Sequence, residues 1–352
     1  MKKTLLTICL VWMCFSLSAQ KIIDLSGKWS FSIDRQDNGE KEKWFSHTLN
    51  DCINLPGSMP EKLKGDEVTV RTQWTGSLYD SSYYYNPYME KYRKEGNIKF
   101  PFFLTPDKHY VGAAWYQKEV NIPADWKGER ILLFLERPHI ETTVWVNGQK
   151  TGMQNSLCVP HQYDITRYVR PGKCTITIRV DNRIKEINVG PDSHSITDQT
   201  QGNWNGIVGR ICLQTTPKTY FDDIQIYPEP EQKLARVKVV IKGTGTAKVK
   251  LSAESFNTDK KHIVPAIQQE IKLNKGVTET EMVLPMGNDM LLWDEFHPAL
   301  YKLKAEVTNG KKTEIKEIQF GMRRFEIKGK WFYVNGRKTQ LRGTVENCDF
   351  PL

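Results

Sequence analysis

Apolar and polar residues alternate one by one through most of this 352-residue chain, and tight-turn dipeptides interrupt the alternation at short intervals. Residues 131–135, 143–146, 175–180 and 207–213 each read as a strand with one face turned to a core. Asn147-Gly148 follows directly on Thr143-Val-Trp-Val146. Both positions of a two-residue hairpin turn need positive φ, which Asn and Gly tolerate best. Pro171-Gly172 marks another turn, leading into the strand at Thr175. Few stretches carry a 3.6-residue period. A chain built this way is all-β, and its first part predicts a β-sandwich of about 200 residues.

Pro217 and the pair Pro228 and Pro230 bracket a strand over residues 220–227 and form a linker. Alternation restarts at Ala235, with strands expected over residues 237–241, 247–253, 269–273, 280–284, 301–307 and 314–320. With the 220–227 strand, that is seven short strands in about 100 residues, which fits an immunoglobulin-like sandwich lacking the Cys-Trp-Cys core. A third segment opens at Gly321, turns a hairpin at Asn335-Gly336 and continues into a strand over residues 339–345. The sequence then runs into a polar loop, which reads as the opening of another domain whose remainder lies outside it.

Composition narrows the function classes. A net charge of +9 comes from 50 basic and 41 acidic residues interleaved throughout, a pattern that serves solubility. No basic stripe or recognition helix suits a nucleic acid. Lys2 and Lys3, an apolar run from Leu5 to Phe15 and small residues ending at Ala19 read as a secretory signal over residues 1–19, cleaved before Gln20. Cys14 raises a lipoprotein site, but Trp12 and Met13 stand where small residues are needed. No other run approaches the ~18 apolar residues of a membrane span. Export to the periplasm or beyond is therefore expected. The five cysteines left after cleavage are odd in number and lack metal-ligand spacing. No metal or cofactor is expected, and neither disulfide pairing nor oligomeric state follows from the sequence.

Six motifs then occur in a familiar order. They are Gly27-Lys-Trp29 with Leu55-Pro-Gly57, Gly112-Ala-Ala-Trp-Tyr-Gln-Lys118, and Thr143-Val-Trp-Val-Asn-Gly148 followed by Tyr163-Asp-Ile-Thr166. Asn203-Trp-Asn-Gly-Ile-Val-Gly209, Leu292-Trp-Asp-Glu-Phe-His-Pro-Ala-Leu-Tyr301 and Phe320-Gly-Met-Arg-Arg-Phe325 complete the set. Together they resemble glycoside hydrolase family 2 over nearly the whole mature chain. The resemblance implies a jelly-roll sugar-binding domain over residues 20–218, an immunoglobulin-like domain over 219–321, and over 322–352 the hairpin and first strand of a (β/α)8 barrel cut short. It implies a secreted retaining β-glycosidase, β-galactosidase-like, acting on oligosaccharides or polysaccharide-derived glycosides, with the catalytic barrel missing from this chain. The alternative is a carbohydrate-binding fragment without catalysis.

Most of these residues read as structural. Trp115 and Trp145, on strands, are expected in the core. Two segments point to sugar. The loop through Asp198, Asn203 and Trp204 offers a carboxylate, an amide and an aromatic face, the groups that bind hydroxyls and pyranose C–H surfaces. In the family, an acidic residue at the place of Asp198 touches sugar hydroxyls. The same side chains can instead hold their own loop together. Toward the end of the barrel strand and just past it, Arg342 and Asp349 fall near the C-terminal barrel face, where such sites are built. Val345-Glu346-Asn347 departs from the galactosidase pattern there and leaves the sugar open. The Tyr-rich stretch over residues 62–107 either walls a saccharide cleft or packs as an irregular lobe.

Overall fold

The computed structural model describes residues 21–75, 85–99, 106–157, 159–185, 193, 196–198 and 202–345. They form two compact units, one built on Lys21–Thr216 and the other on Pro217–Arg342. The signal segment, Asp349, Cys158 and Cys348 lie outside the described residues.

The first unit is a sandwich of two antiparallel sheets. One has six strands in the order Gln149–Asn155, Glu141–Val146, Gly172–Asp181, Ala113–Ile122, Gly27–Asp34 and Asp51–Leu55. The other runs Ile22–Asp24, Gly206–Thr216, Arg130–His139 and His161–Asp164, with the short Gly57–Ser58 also on Gly206–Thr216. Trp29, Phe31, Tyr116, Leu133, Ile178 and Leu213 fill the space between them. Asn147 and Gly148 both take positive φ, at 50° and 77°, and close the expected hairpin.

Successive side chains on a strand point to opposite faces, so the strand Ala113–Ile122 cannot send both Trp115 and Tyr116 inward. Tyr116 enters the main core. Trp115 and Trp145 are buried as expected, but on the outer face, in a satellite cluster with Leu49 that Trp44 and Phe45 cover. Phe45 lies flat on Trp145, centroids 5.2 Å apart and planes 6° from parallel. Asp34 fixes the start of this covering segment. Its carboxylate accepts from the Asn38 and Gly39 amides at 2.9 and 2.8 Å and from the Trp115 indole at 2.9 Å. The six-stranded sheet is thus covered on both faces.

The second unit holds the seven strands read from the sequence. Tyr220–Glu229, Leu234–Lys242 and Val277–Pro285 form one sheet. Ile263–Leu273, Gly245–Ser255, Tyr301–Asn309 and Lys312–Phe320 form the other. Burial along Leu234–Lys242 alternates without a break, and Val237, Val239 and Ile241 enter the core. A three-stranded meander of Phe325–Lys328, Trp331–Val334 and Arg337–Thr339 follows and turns at Asn335-Gly336. The Asn335 amide donates to the Trp293 carbonyl at 3.0 Å and accepts from the Arg324 amide at 2.8 Å, which ties the turn to the preceding segment.

The barrel strand expected over residues 339–345 does not form. Residues 340–345 carry no strand, and 341–345 are exposed. A first barrel strand is held by parallel neighbours that arrive through long crossovers, and the described residues supply none. The described residues form all-β sandwiches followed by a three-stranded meander.

Truncating Trp145 to Ala removes a buried ring and the stack beneath Phe45. Large-to-small changes of this kind cost about 3–5 kcal/mol. The urea midpoint of the Lys21–Thr216 unit is expected to fall accordingly. An unchanged midpoint would show that the outer cluster contributes nothing.

Candidate functional site

A cleft of about 490 Å³ opens on the first unit. Part of its wall is a two-stranded ribbon in which Asp66 pairs with His109 and Glu67 with Lys108. A turn over residues 69–72 continues the wall. The Thr72 amide donates to the Thr69 carbonyl at 3.0 Å, the Thr69 amide to the Thr72 hydroxyl at 2.9 Å, and the Arg71 amide to the Thr69 hydroxyl at 3.1 Å. Two hydroxyls therefore stand in for backbone partners and fix the turn, which leaves the Arg71 side chain exposed.

The predicted sugar loop lies behind this wall. Asp198, Asn203 and Trp204 are 8, 4 and 6% exposed. The Asp198 carboxylate accepts from the Thr75 amide and, at 2.9 Å, from the Asn203 amide, while its own amide donates to the Thr75 carbonyl at 3.1 Å. The Asn203 side chain donates to the Thr75 hydroxyl at 2.9 Å and the Asn182 carbonyl at 3.0 Å. Asn205 donates to the Gly112 and Val180 carbonyls and accepts from the Tyr116 hydroxyl at 2.8 Å. His109 is buried, with Nε2 3.5 Å from Asp198 Oδ2, and packs edge-on against Trp74 at 4.8 Å. The structure thus brings Asp198, Asn203 and Trp204 together, with the Asp198 carboxylate and the Asn203 side-chain N–H groups bonded inside the fold. Arg342 is exposed in the Pro217–Arg342 unit, and Asp349 lies outside the described residues.

Trp204 stacks on His139, centroids 4.5 Å apart. Burial pushes the His139 imidazole down to about 4, and Asn203 and Asp198 oppose that shift without overcoming it. Neither His139 Nε2 nor Asn203 Oδ1 reaches a well-aligned hydrogen bond.

A cluster that the sequence reading did not single out closes one end of the cleft. Asp181 is fully buried at the end of its strand and accepts from Arg179 at 2.9 Å, Arg183 at 2.6 Å and Lys185 at 2.8 Å. Asp37 bonds Arg179 and Arg183, and Glu141 bonds Lys185. Burial raises the Asp181 carboxyl, but the hydrogen bonds from Arg183 and Lys185 outweigh it and hold the group well below the usual range. The signal was present as charges crowded into Arg179-Val-Asp-Asn-Arg-Ile-Lys185 just past an alternating strand.

His139 is neutral in the fold down to about pH 4, whereas an ordinary imidazole takes its proton near 6.5. Unfolding therefore gains a proton between those values, so stability is full above pH 6.5 and is lost as the pH falls toward 4. Between pH 6.5 and 5 that loss is roughly 2 kcal/mol. His139→Phe keeps a ring against Trp204 and removes the titration. Urea unfolding of H139F is expected to show a shallower pH dependence over this window, and an unchanged slope would overturn the assignment.

Comparison with known proteins fits this architecture. The family model described as glycosyl hydrolases family 2, sugar binding domain, matches residues 22–217, and the one described as glycosyl hydrolases family 2 matches residues 219–323. A β-glucuronidase of Paenibacillus borealis is 23% identical over 353 residues, covering 95% of this chain and 50% of that protein. The human β-glucuronidase is also 23% identical, over 94% of this chain and 49% of that one. A β-galactosidase of Oenococcus oeni is 23% identical over 92% and 30%. Among solved structures, a β-glucuronidase from Ruminococcus gnavus superposes with a TM-score of 0.63 at 19% identity, covering 93% of this chain and 49% of that one. One from an uncultured Clostridium sp. gives 0.62 at 21% identity, over 91% and 48%. This chain spans half or less of the length of these relatives. With its sugar-binding sandwich and the sandwich that follows both matched in order, the chain belongs to glycosyl hydrolases family 2.

Proposed function

We propose that this chain is the N-terminal accessory portion of an exported, retaining β-glycosidase that acts on oligosaccharides or polysaccharide-derived glycosides. The acid and nucleophile belong to a barrel that this chain does not contain. Relatives named as β-glucuronidases and β-galactosidases support the reaction class. The leader over residues 1–19 supports export. Among the described residues, no helix is long and apolar enough to cross a membrane.

The observation that carries the division of labour is the state of the cleft carboxylates. A retaining glycosidase needs two carboxyl groups about 5–5.5 Å apart, one able to donate a proton and one free to attack. Four carboxylates line the cleft, and each is already committed. Asp34 accepts from two backbone amides and an indole. Asp37 is bonded to Arg179 and Arg183, Asp66 to Arg35 and Glu67 to Lys108. Asp34 and Asp37 accept on both oxygens, and Asp66 and Glu67 each hold a cation, so none of the four stands free for an acid–nucleophile pair. In this reading Asp198, Asn203 and Trp204 serve the sugar by fixing the cleft wall. Arg342 and Asp349 are nominated as substrate contacts in the longer protein.

The test uses p-nitrophenyl β-glucuronide and β-galactoside. The purified 352-residue chain is expected to release no nitrophenol, and the product of the same reading frame continued past Leu352 is expected to cleave at least one of them. Hydrolysis by the 352-residue chain itself would falsify the proposal. A stop codon at that point would leave carbohydrate binding as the role to test.

A further inference from the structure

We propose that Arg71 is a carboxylate-binding residue, and that the cleft in the Lys21–Thr216 unit takes an acidic sugar unit in preference to its neutral counterpart. The inference rests on the glycosidase reading only in taking a sugar as the ligand.

The argument begins with charge. Three arginines line the cleft alongside its four carboxylates. Arg35 is paired with Asp66, and Arg183 with Asp37 and Asp181. Arg71 is the guanidinium of the cleft that has no carboxylate partner among the described residues. Each of the four carboxylates has a bonded partner, so among the described residues Arg71 is the cleft guanidinium left for an incoming anion. A guanidinium presents parallel N–H groups that match a carboxylate in a bidentate pair, and it stays charged at any pH of interest.

Geometry gives the second part. The turn over residues 69–72 is closed by three hydrogen bonds, two of them accepted by threonine hydroxyls. Gln73 donates to the Arg71 carbonyl at 3.2 Å. Three residues farther on than the turn's close, Thr75 is fastened on both sides to Asp198. The backbone that carries Arg71 is therefore held before a ligand arrives, which lowers the ordering cost of binding. At about 490 Å³ the cleft lies within the range of small-molecule sites, ~300–1,000 Å³.

The test is a binding titration of the 352-residue chain with methyl β-D-glucuronide and methyl β-D-glucoside, which differ only at the carboxylate. Wild type is expected to bind the glucuronide about fivefold more tightly, the ratio expected of one solvent-accessible charge pair. Arg71→Ala should bring the two affinities together while leaving the melting temperature unchanged, because the side chain is exposed. Raising the salt to 0.5 M should also shrink the preference. Equal affinities in wild type, no binding of either sugar, or a preference that survives in R71A would each overturn the inference. Turnover of aryl β-glycosides by the longer protein with an unaltered glucuronide preference in R71A would sink the Arg71 assignment and leave the glycosidase reading intact. Arg71-dependent binding in a longer protein that cleaves nothing would do the reverse.

Discussion

Where the chain leaves the sheets of the first unit, its buried backbone groups lose their ladder partners and must find others. Three asparagine side chains supply them. Asn182 accepts from the Gly112 amide and donates to the Tyr110 carbonyl. Asn203 reaches the Asn182 carbonyl, and Asn205 reaches those of Gly112 and Val180. An amide carries both a donor and an acceptor, so each can satisfy two strand ends at once. These contacts stand beside the ribbon that walls the cleft, at Tyr110, and beside the buried Asp181, at Asn182. Leaving any of these carbonyls unpaired would cost on the order of 1–3 kcal/mol apiece.

The same economy shapes the charged groups. Asp181 sits at zero exposure, where an isolated carboxylate would be too costly to keep ionised. Three cations around it make burial tolerable, and one of them, Arg183, is thereby tied down where it lines the cleft. The polar character of the cleft is therefore mostly structural. Reading it as chemistry requires subtracting every group that already has a partner, which is how Arg71 comes to stand apart from Arg35 and Arg183.

Much of the fold was legible in the sequence. Strands such as Leu234–Lys242 announce themselves because burial has the period of the pleat. The Asn147-Gly148 and Asn335-Gly336 turns follow from local backbone demand. The site was less legible for a definite reason. Asp198, Asn203 and Trp204 carry the groups that bind sugars, and here the carboxylate and amide bind backbone while the indole stacks on His139. What separates the two uses is a partner such as Thr75, 123 positions away in the chain. Nothing local reports it. The strand expected over residues 339–345 is not seen at 340–345 for a related reason: alternation shows that a segment can be a strand, but pairing needs neighbours that no local pattern names. The outer placement of Trp115 and Trp145 needed only the pleat rule applied one residue further, against the inward Tyr116.

Each unit closes its own core, with Trp29, Tyr116 and Leu133 in one and Val237, Leu251 and Tyr301 in the other. No residue belongs to both lists. A substitution in either core therefore acts on the packing of its own unit, and a buried ring reports on the unit that holds it: Trp29 on one, Tyr301 on the other.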